Sequence, residues 1–206
     1  MRVPAFFDEV PDIVMADPLA ALLGAAEHGR IEYRYIDAVK LAGHSCPTVA
    51  SAWLLTAKAL ARLYPDALPQ RGGICVELRR AQDDSGTGVV GSVVGLVTGA
   101  AGDGGFKGIA GLHARRNLMR YGAPIDTDLR FTRLDTGHAV GARFHGERVP
   151  MPEDMRALLA YVTTPGMDAA TLAEFARRWQ GWVRAILVDH HDDPALVELT
   201  EEAVPA

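Results

Sequence analysis

The stretch from Pro47 to Tyr64 limits the fold more than any other. Val49, Trp53, Ala57, Leu60 and Tyr64 recur at three- and four-residue spacing, so one face of a helix is apolar along its length. Pro47 suits a first turn, where a missing N–H costs nothing, and Pro65 stops the helix. Such a helix needs a broad apolar surface to cover it. Downstream, "GGICVELRRA" alternates Ile74, Val76 and Leu78 with Cys75, Glu77 and Arg79, the pattern of a half-buried strand. "RRNLMRYG", "DLRFTRLD" and "HAVGARFH" read as further strands, the last two joined at Thr136 and Gly137.

Other helical patterns flank these strands. Asp17 to Glu27 carries Leu19, Leu22 and Leu23 at helical spacing, closed by Gly29. The alternating run Ile31 to Tyr35 suits a strand or an extended entry. "GVVGSVVGLVTG" places Val89, Val90, Val93, Val94 and Val97 on a helical stripe, with glycines that let another backbone pack close. From Pro152 the chain turns helical. One helix is "PEDMRALLAYV"; another starts near Asp168, with Leu172, Phe175, Trp179, Trp182, Val183 and Ile186 on a broad apolar face. The expected class is α+β: a mixed or antiparallel sheet packed with helices, plus a helical C-terminal appendage. Residues 1–150 form the expected core domain. Residues 151–206 form the expected helical extension, packed on the core or on a second copy of the chain.

A chain of 206 residues can bury a sizeable core without disulfides. Its net charge of −5 argues against a general nucleic-acid binder, which needs a basic surface. The N-terminal stretch has acids and prolines where a signal peptide needs an unbroken apolar core. No apolar run reaches the roughly 18 residues that a membrane span needs. With no export signal, the two cysteines, Cys46 and Cys75, read as free thiols. The expectation is a cytoplasmic protein with neither a nucleic-acid nor a membrane partner.

The chemistry concentrates in "GHSCP". With Pro47 in the first turn, Cys46 falls at or near the N-cap, beside unpaired backbone N–H groups and the positive end of the helix dipole. That environment favours a thiolate, which is a metal ligand or a nucleophile. His44 lies two residues earlier on a non-helical approach, and Gly43 frees the backbone to bend. Three readings stand side by side: a packed cysteine with a carbonyl-bonded histidine, a two-ligand seed of a metal site, and a Cys46–His44 nucleophilic pair. His113, in "GLHARRN", is the candidate third metal ligand. His190 and His191 lie in "VDHHDDP", and Asp37 and Asp103 could orient His44. A thiolate and an imidazole suit zinc first, with nickel or iron as alternatives.

The glycine-dense stretch "TGAAGDGGFKGIAG" fails both nucleotide motifs. Gly99 and Gly104 have P-loop spacing, but Gly105 stands where lysine must be. A weaker reading remains: Gly104, Gly105 and Lys107 could hold an anionic group, against the alternative of a connection kept small for packing.

"GHSCP" opening a helix, then a strand, a valine-glycine helix and "TGAAGDGGFKGIAG", resembles the FmdE family, named for a component of formylmethanofuran dehydrogenase. The resemblance covers roughly residues 30 to 122 by motif, and the whole chain more loosely. It implies an α+β core, a homodimer or higher homo-oligomer, and a site around His44 and Cys46 that holds a transition metal. This chain departs from archaeal members, which read CPG where it has Cys46, Pro47 and Thr48; it also lacks their further cysteines and their C-terminal zinc finger. The expected function is an FmdE-like metalloprotein with a sparse site, acting on or alongside a small molecule, with enzyme and accessory roles both open. The alternatives are a non-catalytic accessory component of a larger molybdenum or tungsten enzyme, and a metal-free enzyme with Cys46 as nucleophile.

Overall fold

The helix bounded by two prolines is the centre of the molecule, and a sheet forms under it. The computed structural model describes residues 2–162, 164 and 166–202. The strands are β1 (Ile13–Ala16), β2 (Arg30–Tyr33), β3 (Ile74–Leu78), β4 (Met119–Tyr121), β5 (Leu129–Arg133), β6 (Ala139–Phe144) and β7 (Val197–Glu202). The helices are α1 (Pro18–Leu22), α2 (Tyr35–Ala42), α3 (Pro47–Leu63), α4 (Thr87–Thr98), α5 (Glu153–Val162) and α6 (Ala169–Arg184). A π-helical turn at Ala185–Asp189 extends α6.

Five strands make a mixed sheet in the order β4-β3-β5-β6-β7, parallel between β3 and β4 and antiparallel elsewhere. β1 and β2 form a separate antiparallel pair. The class is α+β. Trp53, Leu54, Leu60 and Leu63 of α3 are buried in one core with Ile74, Val76 and Leu78 of β3, Leu129 and Phe131 of β5, and Val140 of β6. The helix α4 packs on α3 and buries Val93, Val94 and Val97. Its glycines serve close approach: a Cβ at Gly91 would collide with the Tyr121 hydroxyl.

The opposite side of the sheet is charged. Glu77 is only 9% exposed, because Arg130 on the neighbouring strand holds it at 2.6 Å. Arg130 also reaches Glu202 of β7 at 3.4 Å. Cross-strand pairs of this kind satisfy carboxylates that burial would otherwise penalise.

The segment from residue 151 departs from an all-helical reading. α5 and α6 form where the periodicity places them, with Asp168 capping α6 by accepting from Thr171 N at 2.9 Å. β7 then pairs antiparallel with β6 and becomes an edge of the core sheet. Residues 203–206 lie outside the described residues. The tryptophan face of α6, which the sequence offers to a second copy, lies mostly on this chain's own core. Val183, Ile186 and Leu187 are buried, and Trp182 donates to Val149 O at 2.7 Å.

The N-terminal third also differs in detail. The helix expected over Asp17 to Glu27 is only α1, capped by Asp17 and ending at exposed Leu22, with exposed Leu23 next. The strand expected over Ile31 to Tyr35 ends at Tyr33, and Tyr35 opens α2.

Candidate functional site

The "GHSCP" loop joins α2 to α3 and is held from three sides. Gly43 ends α2 in the left-handed conformation, φ 77°, as a helix C-terminus favours. His44 is exposed, with Nδ1 2.9 Å from Ala42 O. A carbonyl oxygen only accepts, so Nδ1 carries the proton, and in the neutral ring Nε2 keeps its lone pair. Nε2 has no partner among the described residues.

Ser45 is the anchor. Its carbonyl accepts from Trp179 Nε1 at 2.9 Å and from Gln180 Nε2 at 3.1 Å, both on α6. Its hydroxyl lies 3.0 Å from the hydroxyl of Tyr35, which is fully buried. Burial pushes the Tyr35 phenol well above its ordinary value; the Ser45 hydrogen bond offsets part of this, and nearby Cys46 adds to it. α6 therefore clamps the loop as well as packing on the core.

Cys46 is the N-cap of α3, with extended backbone (φ −147°) and a carbonyl that accepts from Ala50 N at 2.9 Å. Its side chain makes no capping bond and is 8% exposed. Both Cys46 and Cys75 are free thiols. Burial, then Glu77, pushes the Cys75 thiol up, against Arg120 and Arg130.

His44 and Cys46 thus share one loop. Among the described residues, however, no group of three or more His, Cys, Asp and Glu side chains could hold a metal ion. His113, expected as a third ligand, does not complete such a group with them. It sits in the glycine loop at φ 59°, and that loop is tied elsewhere: Arg115 reaches Asp17 at 2.6 Å. Asp37 caps α2 by accepting from Arg34 N at 3.0 Å, so it is not the group that orients His44. In "VDHHDDP", His190 faces Asp193 at 3.5 Å, and Lys58 holds Asp192 at 2.7 Å. Burial, with Lys58 nearby, lowers the His191 pKa.

The glycine loop is folded on itself. Gly105 N donates to Gly102 O, Arg115 N to Phe106 O, and Asn117 N to Gly102 O. A Cβ at Gly105 would press on the Arg116 backbone, whereas Gly104 has open space around it and Lys107 is exposed. Close packing accounts for Gly105, and its amide is already engaged within the loop.

Two features escaped sequence reasoning. One is the buried cluster of Asp17, Arg71 and Arg115. The other is a cavity of about 330 Å³ beside the first turns of α3 and α4. Its only signals in the sequence were small and hydroxyl residues, Thr48, Ser85, Gly86 and Thr87, at two helix starts.

Fold and loop together define an α+β protein with a histidine–cysteine pair at the start of its central helix. No protein-family model matches the chain, and no curated protein is significantly similar to it. Among the described residues, no helix is long and apolar enough to cross a membrane.

Proposed function

We propose that the chain is an FmdE-like protein that binds one soft transition-metal ion through His44 Nε2 and the Cys46 thiolate. The observation that carries this is the hydrogen bond from His44 Nδ1 to Ala42 O. Metal-ligating histidines commonly donate the other ring nitrogen to a carbonyl in this way, which orients the ring and leaves the second lone pair for the ion. With two ligands from one chain, the remaining positions are filled by a small molecule or by a second copy in a homo-oligomer. Open positions suit small-molecule chemistry at the metal. The accessory-component reading differs only in lacking turnover. A metal-free nucleophile has less support, because among the described residues no hydrogen bond joins the His44 ring to the Cys46 thiol.

The test is metal content. Protein stripped of metal and dialysed anaerobically against zinc, nickel or ferrous ion retains about one ion per chain by elemental analysis. His44→Ala and Cys46→Ser each lose it while circular dichroism stays unchanged. Full occupancy in the double variant, or no retention by the parent at micromolar concentration, overturns the proposal.

A further inference from the structure

One of the two α6 side chains that grip the "GHSCP" loop leaves a polar atom of its own unsatisfied. Gln180 donates from Nε2 to Ser45 O at 3.1 Å. A carbonyl oxygen only accepts, so the amide cannot be turned over: the exchange would set oxygen against oxygen. That fixes Oε1 as the other end of the group. Oε1 is buried and has no hydrogen-bond partner among the described residues. A buried amide oxygen left unpaired costs free energy unless a water, an ion or a ligand completes it.

The place of that oxygen matters. Nε2 is held against the carbonyl of Ser45, the residue between His44 and Cys46, and Oε1 shares a carbon with Nε2. The orphan acceptor therefore lies beside the loop that carries both candidate ligands. Cys46 brings a thiol that makes no capping bond and is 8% exposed. His44 brings the free Nε2 lone pair. An imidazole nitrogen, a sulfur and an amide oxygen are thus unengaged on one loop and the helix bound to it. A carboxamide oxygen falls outside the His, Cys, Asp and Glu side chains, which form no group of three among the described residues.

We propose that Gln180 Oε1 is a third protein ligand of the metal ion at His44 and Cys46. The inference rests on the reading of those two residues as ligands. Zinc accepts oxygen beside nitrogen and sulfur, and an amide oxygen serves as a weak further ligand in histidine–cysteine copper sites. The Nε2 bond to Ser45 fixes the direction of the oxygen, as an outer hydrogen bond does for other ligating groups. Three protein ligands with one open position is the pattern of catalytic rather than structural zinc sites. The amide is neutral, so one thiolate leaves a divalent ion with a net positive charge. That favours an anionic or carbonyl oxygen of a small molecule at the open position.

The test compares Gln180→Ala, which removes both ends of the amide, with Gln180→Glu, which keeps an oxygen at the Oε1 position and removes the donor. Trp179 still donates to Ser45 O in both variants, so the loop keeps one bond to α6. Anaerobic competition against a chromophoric chelator measures zinc affinity, and the visible spectrum of cobalt(II)-loaded protein reports the ligand set without any turnover. Gln180→Ala should bind zinc about tenfold or more weakly and shift the cobalt bands. Gln180→Glu should bind at least as tightly as the parent, because a carboxylate is the stronger oxygen ligand. A residue that only clamped Ser45 gives a different order: Gln180→Glu, with a negative oxygen facing a carbonyl, loses as much as Gln180→Ala, and the cobalt bands stay where they are. That order, or parental affinity and spectrum in Gln180→Ala, would overturn the assignment while leaving the ion at His44 and Cys46. A parent protein that binds neither ion would overturn both readings.

Discussion

Asp17→Asn should be among the most destabilising single-atom exchanges in the molecule. Asp17 is 4% exposed, with Oδ1 2.6 Å from Arg115 and Oδ2 3.1 Å from Arg71. It also caps α1 by accepting from Leu19 N at 2.9 Å. Asparagine caps a helix about as well as aspartate, so the exchange leaves the cap and removes the charge. Arg71, with 23% of its side chain exposed, can turn toward water. Arg115 cannot: its side chain is 7% exposed, and its Nε already lacks a partner. Breaking a buried pair and stranding one charge costs about 3–5 kcal/mol. In a domain of this size that lowers Tm by about 6–20 °C.

The assay is urea unfolding, with a lower midpoint and an unchanged slope expected. A double-mutant cycle with Arg115→Met separates the pair from its parts, and the coupling should be about 1–3 kcal/mol. A loss below about 1 kcal/mol in Asp17→Asn would refute the reasoning, since Arg115 would then be reaching water. Acid gives a second readout. Burial pushes the Asp17 carboxyl up, but the Ala20 N–H, Arg71 and Arg115 outweigh it and hold it below its ordinary value. A depressed carboxyl stabilises the fold above its unfolded pKa of about 3.9, and that stability is lost as pH falls through the folded value. Asp17→Asn should flatten this acid limb.

Three further outcomes follow from the same contacts. Trp179→Phe removes one of the two α6 bonds to Ser45 O; it should cost about 1 kcal/mol and speed alkylation of Cys46 by iodoacetamide, and an unchanged rate would show that the indole bond does not hold the loop. The His145 imidazole is raised above its ordinary value by Glu198 and then Glu147, so its stabilisation is complete below the unfolded pKa and is lost as pH rises through the folded one; an NMR titration midpoint at or below about 6.5 would contradict this. Cys75 in native protein at pH about 8 should alkylate more than tenfold slower than in urea, because burial and Glu77 hold its thiol protonated; equal rates would place it at the surface.

Periodicity located the elements whose apolar residues all face one way. α3, α4, α6 and the β5–β6 hairpin fall within a few residues of their expected bounds, because burial on a single face is what a hydrophobic period records. β7 was illegible for the opposite reason. "VELTEE" looks like an acidic tail; its backbone pairs with β6, and its side chains find charged partners, Glu198 with His145 at 2.9 Å, Glu201 with His138 at 2.5 Å, and Glu202 with Arg130 of β5. Such partners are distant in sequence and leave no local period. α1 was over-read because Leu22 and Leu23 keep helical spacing beyond Leu19, yet both are exposed and the helix ends at Leu22.

The site was legible to the same degree and for the same reason. Pro47 announces a helix start, so the N-cap position of Cys46 and the bend at Gly43 follow from adjacent residues alone. What closes on that loop comes from more than 130 positions away, with Trp179 and Gln180 on Ser45, and no local pattern foretells which carbonyl an indole will find. This long-range grip also bears on chemistry. A ligand set that depended on a mobile loop would pay to order it when the ion arrives. Here Ser45 is already held from α6 and from Tyr35, so on the proposed reading the backbone between His44 and Cys46 is ordered without an ion. Loosening that grip should therefore weaken metal retention even though Trp179 touches no ligand atom, which Trp179→Phe measures directly alongside His44→Ala.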